Sequence, residues 1–434
     1  MTRPDPHDRD IPDAGTPQPS RIVIIGAGHG GAQLAASLVE EGHPGTVTLI
    51  SAEDDAPYHK PPLSKSFMKA PDTPLQPLRG RTFFIDKGID MRLGAEVTSI
   101  DCRGRRVLLA DGSEIPYDRL VLATGTRARR LAVPGVEQEG VFHLRTAGDA
   151  RAMRRALPES GRVVVIGGGF IGLEAAAMLA ARGLSVEVLE VAPHLLRRAV
   201  SRQVADAVTA YLEGQGIGIR CGVCVDSLGG EGRVTSVRLE DGPELQADMV
   251  VVGIGAVPEV ALAEASGLAC DNGIVTDALL TTSDPAICAI GDCISYPQAQ
   301  LGRMARLESV QNATDQARAL AKTLTGKPTP YGALPWFWSD IGALKLQIAG
   351  LAHDADEDVV VQRADGALQS VYRLSQGRLV AVETLNSAGE HMLARRLIAK
   401  GITPDREVMA SGDMAALKAA YAAARARRGE ARRD

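Results

Sequence analysis

The sequence predicts an α/β protein containing two Rossmann-like units, on three observations. A β-branched run leads into a glycine fingerprint twice, in RIVIIGAGHGG at 21–31 with Gly26, Gly28 and Gly31, and in RVVVIGGGFIG at 162–172 with Gly167, Gly169 and Gly172. Each fingerprint opens a small-residue helix, so strand, tight turn and helix follow within a few residues. Further strand-like runs, YDRLVLATG and MVVVGIG, recur as alternating βα units require.

In each fingerprint the first glycine permits the turn, the second lets backbone approach a pyrophosphate, and the third lets helix and strand pack closely. The helix N-terminus supplies orphan N–H donors for the anion. Two such units predict two dinucleotides. After the first, VTLISAE brings Glu53 to the end of a second strand, where a carboxylate accepts hydrogen bonds from a ribose diol. After the second, VEVLE places Glu190 likewise, and a carboxylate there repels a 2′-phosphate, which favours NADH over NADPH. Arg197 and Arg198 follow in the next loop and soften that preference. Downstream, PAICAIGDC puts Asp292 at a strand-to-helix turn, placed to bind the ribityl hydroxyls of a long dinucleotide lying across the first unit, which is FAD. The strand expected at Met249 marks a return from the second unit to the first.

A length of 434 residues suggests roughly three domains of about 150 residues. The formal net charge of −5 argues against nucleic acid as the main partner. Glycines, His29, Gln33 and Glu174 break the apolar stretches, so no membrane span is expected. The first 20 residues, rich in Pro, Asp and Arg, read as a disordered extension and not a signal peptide, which places the chain in the cytoplasm. At the other end, Lys418, Arg425, Arg427, Arg428, Arg432 and Arg433 mark a basic helix running into a frayed, solvated tail over 413–434.

Six cysteines are scattered, with Cys221 and Cys224 alone at CxxC spacing. A redox pair places its first thiol at a helix N-terminus, whereas RCGVCVDSL reads as a turn entering a strand. A zinc site needs two further ligands, and none accompanies the pair. Incidental thiols are expected, and no metal.

The two fingerprints, PYHKPPLSK at 57–65, YDRLVLATG at 117–125, GIGAVPE, AIGD, RLESVQNA, and PWFWSD followed by KLQIAG together carry a resemblance to a known family. From about residue 21 to 401 the chain resembles the oxygenase-coupled, FAD-dependent NADH:ferredoxin reductases, the class of putidaredoxin reductase and the biphenyl-type dioxygenase reductases. The resemblance implies a glutathione-reductase-type fold. It implies an FAD domain at 21–125 and 250–328, split around an NADH domain at 126–249, and a C-terminal α+β domain at 329–412 covering the flavin. It also implies the activity: hydride from NADH to FAD, then single electrons to an iron-sulfur ferredoxin supplying a monooxygenase or dioxygenase.

Site roles are carried over from the same motifs. Lys65 supplies a cation near flavin N5 and pairs with Glu174; Lys60, Thr124, Gly125 and Asp292 contact FAD. Glu308 caps, or touches the nicotinamide beside, a helix whose N-terminus faces the flavin. Trp336 and Trp338 alternate on a strand and face one side, with Trp338 nearer the flavin edge where ferredoxin docks. Apart from the motifs, charge complementarity to an acidic ferredoxin makes Arg303, Arg395, Arg396 and Lys400 candidates for a basic docking face, and an ordinary solvated helix face accounts for them equally well.

The chain departs from the family pattern in Lys60 for arginine, Ala52 for an acidic residue, Glu259 for asparagine, and Ile341, Gly342 and Ala343 after the tryptophans. The segment at 57–65 holds no thiol, where glutathione-reductase relatives carry a disulfide and peroxidase or oxidase relatives a single cysteine. Electrons therefore leave from the flavin itself. Two alternatives share the motifs: an NADH oxidase or quinone reductase, and an NADH-gated interaction protein similar to apoptosis-inducing flavoproteins.

Overall fold

The computed structural model describes residues 20–80 and 82–430, with side chains to residue 427. Apart from Ser20, the predicted N-terminal extension lies outside the described residues, as do Arg432 and Arg433 of the basic tail.

Each fingerprint strand sits in the middle of a five-stranded parallel sheet. Ile22–Ile25 is flanked by Val47–Ile50 and Arg119–Leu122, with Asp90–Arg92 and Ile287–Ala289 at the edges. All four residues of Ile22–Ile25 are buried, the signature of a parallel strand covered on both faces. Arg162–Ile166 is flanked by Ser185–Glu190 and Met249–Val252, with Gly218–Cys221 and Val141–His143 outside. At Gly26, φ is +107° and an added Cβ would stand 2.2 Å from the Ala123 carbonyl oxygen, so glycine alone makes this turn.

The sequence predicts that the strand at Met249 rejoins the first unit. Instead Met249–Val252 pairs in parallel with Arg162–Ile166 and completes the second sheet. The chain crosses only afterwards, where Ala256–Pro258 pairs antiparallel with the outgoing Thr126–Ala128. A strand's local pattern specifies that it is buried, not which sheet receives it.

The C-terminal part is a five-stranded antiparallel sheet in the order Trp336–Ile341, Leu344–Gly350, Arg378–Leu385, Leu368–Ser375, Glu357–Gln362. Helix Ala388–Ala399 packs on one face through Leu393, Ala394 and Leu397, which share a core with Tyr372 and Val382. Leu346, Val371 and Leu385 instead join the core around Leu173 and Val204, so this sheet is cemented to the second unit. Helix Met414–Glu430 docks through buried Leu417. Among the described residues no helix is long and apolar enough to cross a membrane.

Candidate functional site

A single cavity of about 1290 Å³ runs between the two parallel sheets and under the C-terminal sheet, lined by both fingerprints. Single small-molecule sites occupy about 300–1,000 Å³, so this one has the extent for a ligand at each fingerprint.

Helices His29–Glu40 and Phe170–Ala180 begin at Gly28 and Gly169 with no side-chain cap, leaving their first N–H groups for something other than protein. A Cβ on Gly28 would meet no atom within 4 Å, and one on Gly169 only the Gly253 carbonyl oxygen at 3.9 Å. The space that glycine keeps open at these two positions is cavity. Uncapped helix ends and open glycines fit two pyrophosphates.

Basic groups gather around the first fingerprint. Lys60 Nζ donates to Glu53 Oε1 at 3.2 Å, and burial holds its pKa below the usual lysine value. Arg145 donates from Nε to the Thr126 carbonyl and from Nη2 to Asp292 Oδ2 at 3.4 Å. Burial raises the Asp292 pKa despite Arg145. His29 is buried, 5.5 Å ring to ring from His59, and desolvation with neighbouring His59, Lys60 and Arg145 pushes its pKa down to about 4. Arg145 is not anticipated from the sequence, where its one signal is HLRT, a basic residue before the capping box at Thr146.

Both expected ribose acceptors line the cavity with lone pairs to spare. Glu53 Oε2 accepts from Tyr58 Oη at 2.6 Å, and Tyr58 Oη in turn accepts from the Ala147 amide at 2.9 Å. Glu190 Oε2 accepts from the Gly168 amide at 2.6 Å and Oε1 from the Ala192 amide at 2.7 Å. A carboxylate offers about four acceptor positions, so each keeps capacity for a diol. Arg197 and Arg198 line the same end.

Where the units meet, Lys65 Nζ lies 2.8 Å from Glu174 Oε2. Glu174 is buried and also accepts from Ser64 Oγ and from Ser339 Oγ, both at 2.6 Å, so three parts of the fold converge on one carboxylate. Beside it Phe170 and Phe337 touch with ring centroids 4.5 Å apart. Neither phenylalanine is anticipated from the sequence, because the contact joins residues from different units.

The described structure brings together Gly26, Gly28, Glu53, Lys60, Lys65, Thr124, Gly125, Gly167, Gly169, Glu174, Glu190, Asp292, Glu308 and Trp338 on this one cavity. Gly31 and Gly172 lie behind it, where an added Cβ would stand 1.9 Å and 2.2 Å from the Gly26 and Gly167 carbonyl oxygens. Glu308 is not the cap: Ser309 Oγ accepts from the Asn312 amide, while Glu308 pairs with Arg306 at 2.5 Å. One N–H of helix Val310–Leu324 is thereby satisfied. The tryptophan rings do share a face, 5.4 Å apart, and Arg395 stacks on Trp336 at 4.2 Å. Trp338 lines the cavity together with Phe337. Glu259, unexplained from sequence, pairs with Arg127 at 3.4 Å, and Ile341 is buried before a turn in which Gly342 has φ +60°.

Cys221 ends its strand in register with Glu190, and Cys224 is the one cysteine lining the cavity. Both are free thiols, and burial pushes the Cys221 thiol up, opposite to the shift of a reactive cysteine. Among the described residues no group of three His, Cys, Asp or Glu is arranged to hold a metal.

Two dinucleotide cradles opening on a shared cavity, with a lysine–carboxylate pair between them, define a flavin- and nicotinamide-dependent oxidoreductase. The chain belongs to the pyridine nucleotide-disulphide oxidoreductase family, whose model matches residues 20–317, and a reductase C-terminal domain matches residues 336–420. It is 43% identical over 389 residues to rhodocoxin reductase of Rhodococcus erythropolis, covering 89% of this chain and 91% of that protein. It is 37% identical over 413 residues to putidaredoxin reductase of Pseudomonas putida, covering 93% and 97%. Among solved structures, the ferredoxin reductase for the CYP199A2 system of Rhodopseudomonas palustris superposes with a TM-score of 0.89 at 42% identity, covering 92% of this chain and 99% of that one. A covalent complex of putidaredoxin reductase with putidaredoxin also gives 0.89, at 36% identity, covering 94% and 99%.

Proposed function

We propose that this chain is an FAD-dependent NADH:ferredoxin reductase that delivers electrons singly to a two-iron two-sulfur ferredoxin serving a monooxygenase or dioxygenase. The observation that carries the reading is the thiol-free junction of the cavity, with Lys65 and Glu174 between the fingerprints and Trp338 on its wall. FAD, when bound, supplies a centre that accepts a hydride as a pair and releases electrons one at a time. The first unit, at 21–125 with the residues after 252 up to about 328, holds it: Gly28 leaves room for the pyrophosphate, Lys60 and Arg145 supply positive charge, and Glu53 and Asp292 orient hydroxyls. The second unit holds NADH through Gly169 and Glu190. Glu174 fixes the Lys65 ammonium at the meeting point, and Phe170 and Phe337 pack against each other on the wall of the same cavity. Trp338, with Arg395 over its neighbour Trp336, marks the side where the ferredoxin docks.

Six free cysteines, with no disulfide among the described residues, support a reducing cytoplasmic location. The relatives named for rhodocoxin and putidaredoxin reduction support the acceptor class. The test is steady-state turnover of the FAD-loaded chain with NADH against a panel of two-iron two-sulfur ferredoxins, with oxygen uptake followed in parallel. Ferredoxin reduction outrunning oxygen uptake supports the reading; the reverse ratio with every ferredoxin makes the protein an oxidase.

A further inference from the structure

Glu383 is fully buried on strand Arg378–Leu385 of the C-terminal sheet, yet it serves the second cofactor unit. Oε1 and Oε2 accept from the Ser201 amide at 3.0 and 2.9 Å, Oε2 accepts from Ser201 Oγ at 2.5 Å, and Oε1 accepts from Arg373 Nη1 at 2.9 Å. Ser201 in turn caps helix Arg202–Gly214, with its Oγ accepting from the Val204 amide at 3.3 Å. It closes the loop at 191–200, which gives Val191, Leu196, Arg197 and Arg198 to the cavity at the Glu190 end.

That loop is pinned at both ends. At its start Glu190 holds the Ala192 amide, and the Leu196 amide, at a φ of +52°, donates to the Gly168 carbonyl at 3.0 Å. At its finish the only side-chain anchor among the described residues is Glu383, from a different sheet. A buried carboxylate is costly to desolvate, and an apolar pair of similar volume would hold two domains together as well. A carboxylate aimed at one backbone amide instead fixes where that amide lies. The same sheet reaches the opposite end of the second cradle through Ser339 on Glu174.

We propose that Glu383 is a positioning residue for the adenosine half of NADH, holding the 191–200 loop in its binding form from the C-terminal domain. This rests on the reading that the second cradle takes NADH. The test uses the FAD-loaded full chain, ferricyanide as acceptor, and two donors, NADH and reduced nicotinamide mononucleotide, which lacks the adenosine half. For Glu383→Gln the KM for NADH rises about tenfold while kcat at saturation stays within about twofold, and kcat/KM for the mononucleotide changes by less than about twofold. Ser201→Ala, which keeps the backbone donor, shifts the NADH KM in the same direction by a smaller factor and decides the matter if Glu383→Gln does not fold. An unchanged NADH KM in the variants, or equal losses with the two donors, overturns the proposal. A wild-type chain that binds no NADH removes the underlying reading as well, which separates the two failures.

Discussion

Lys65 and Glu174 meet at 2.8 Å although they belong to different cofactor-binding units, and the C-terminal sheet joins them through Ser339. Glu174 is 7% exposed, so its charge is compensated by these partners and not by water. The pair therefore sets the geometry between the two cradles as well as the charge where they meet.

Glu174→Ala leaves the Lys65 ammonium and two hydroxyls without their partner, at a cost of about 3–5 kcal/mol. Glu174→Gln keeps an acceptor oxygen for one serine but loses the charge and the second acceptor, and because it still fills the site it is the milder variant. Urea unfolding of both checks the order; a cost below about 1 kcal/mol for the alanine variant would mean the pair behaves as a surface salt bridge.

Gly26→Ala and Gly28→Ala separate folding from binding. The first drives a Cβ to 2.2 Å from the Ala123 carbonyl oxygen at a φ of +107°, so loss of the fold is expected. The second fills space that no protein atom occupies. Gly28→Ala should keep its circular dichroism spectrum while FAD affinity, followed by flavin fluorescence, drops by about tenfold or more.

His391 gives a pH signature. It is 2% exposed, neither ring nitrogen has a hydrogen-bond partner among the described residues, and desolvation aided by Arg395 lowers its pKa from 6.5 to about 4. The unfolded chain thus binds this proton more readily than the folded one. Its contribution is fully present above pH 6.5 and is lost, at about 1.4 kcal/mol per pH unit, as pH falls from there toward 4. His391→Leu should flatten that part of the stability profile measured by denaturant titration, and an unchanged slope would contradict the assignment.

Trp338→Leu tests the exit side. Expected is a fall of about tenfold in the ratio of ferredoxin to ferricyanide turnover, since the small oxidant does not need a particular docking face. Equal losses with the two acceptors would assign Trp338 to packing.

Local rules made the fingerprints, the acidic strand ends and the tryptophan strand legible in the sequence. Each is set by spacing within a few residues, and Gly26, Glu190 and Trp338 all reach the cavity. Contacts across units were not legible. Phe170 with Phe337, Ser339 with Glu174 and Glu383 with Ser201 depend on how separate sheets are laid together, which no local period encodes. Met249–Val252 was recognisable as a strand, but its sheet depends on a partner far earlier in the chain. Glu308 precedes a serine that also suits a cap, and the shorter side chain, Ser309, takes the position.

The most direct test of the central claim is a stoichiometry. The FAD-loaded Cys221→Ser, Cys224→Ser chain is mixed anaerobically with a known amount of NADH and an excess of a two-iron two-sulfur ferredoxin. Two ferredoxins reduced per NADH consumed, with no dependence on either thiol, is the expected result. Loss of ferredoxin reduction in this variant, with the wild-type chain active, would place a thiol in the electron path and contradict the account.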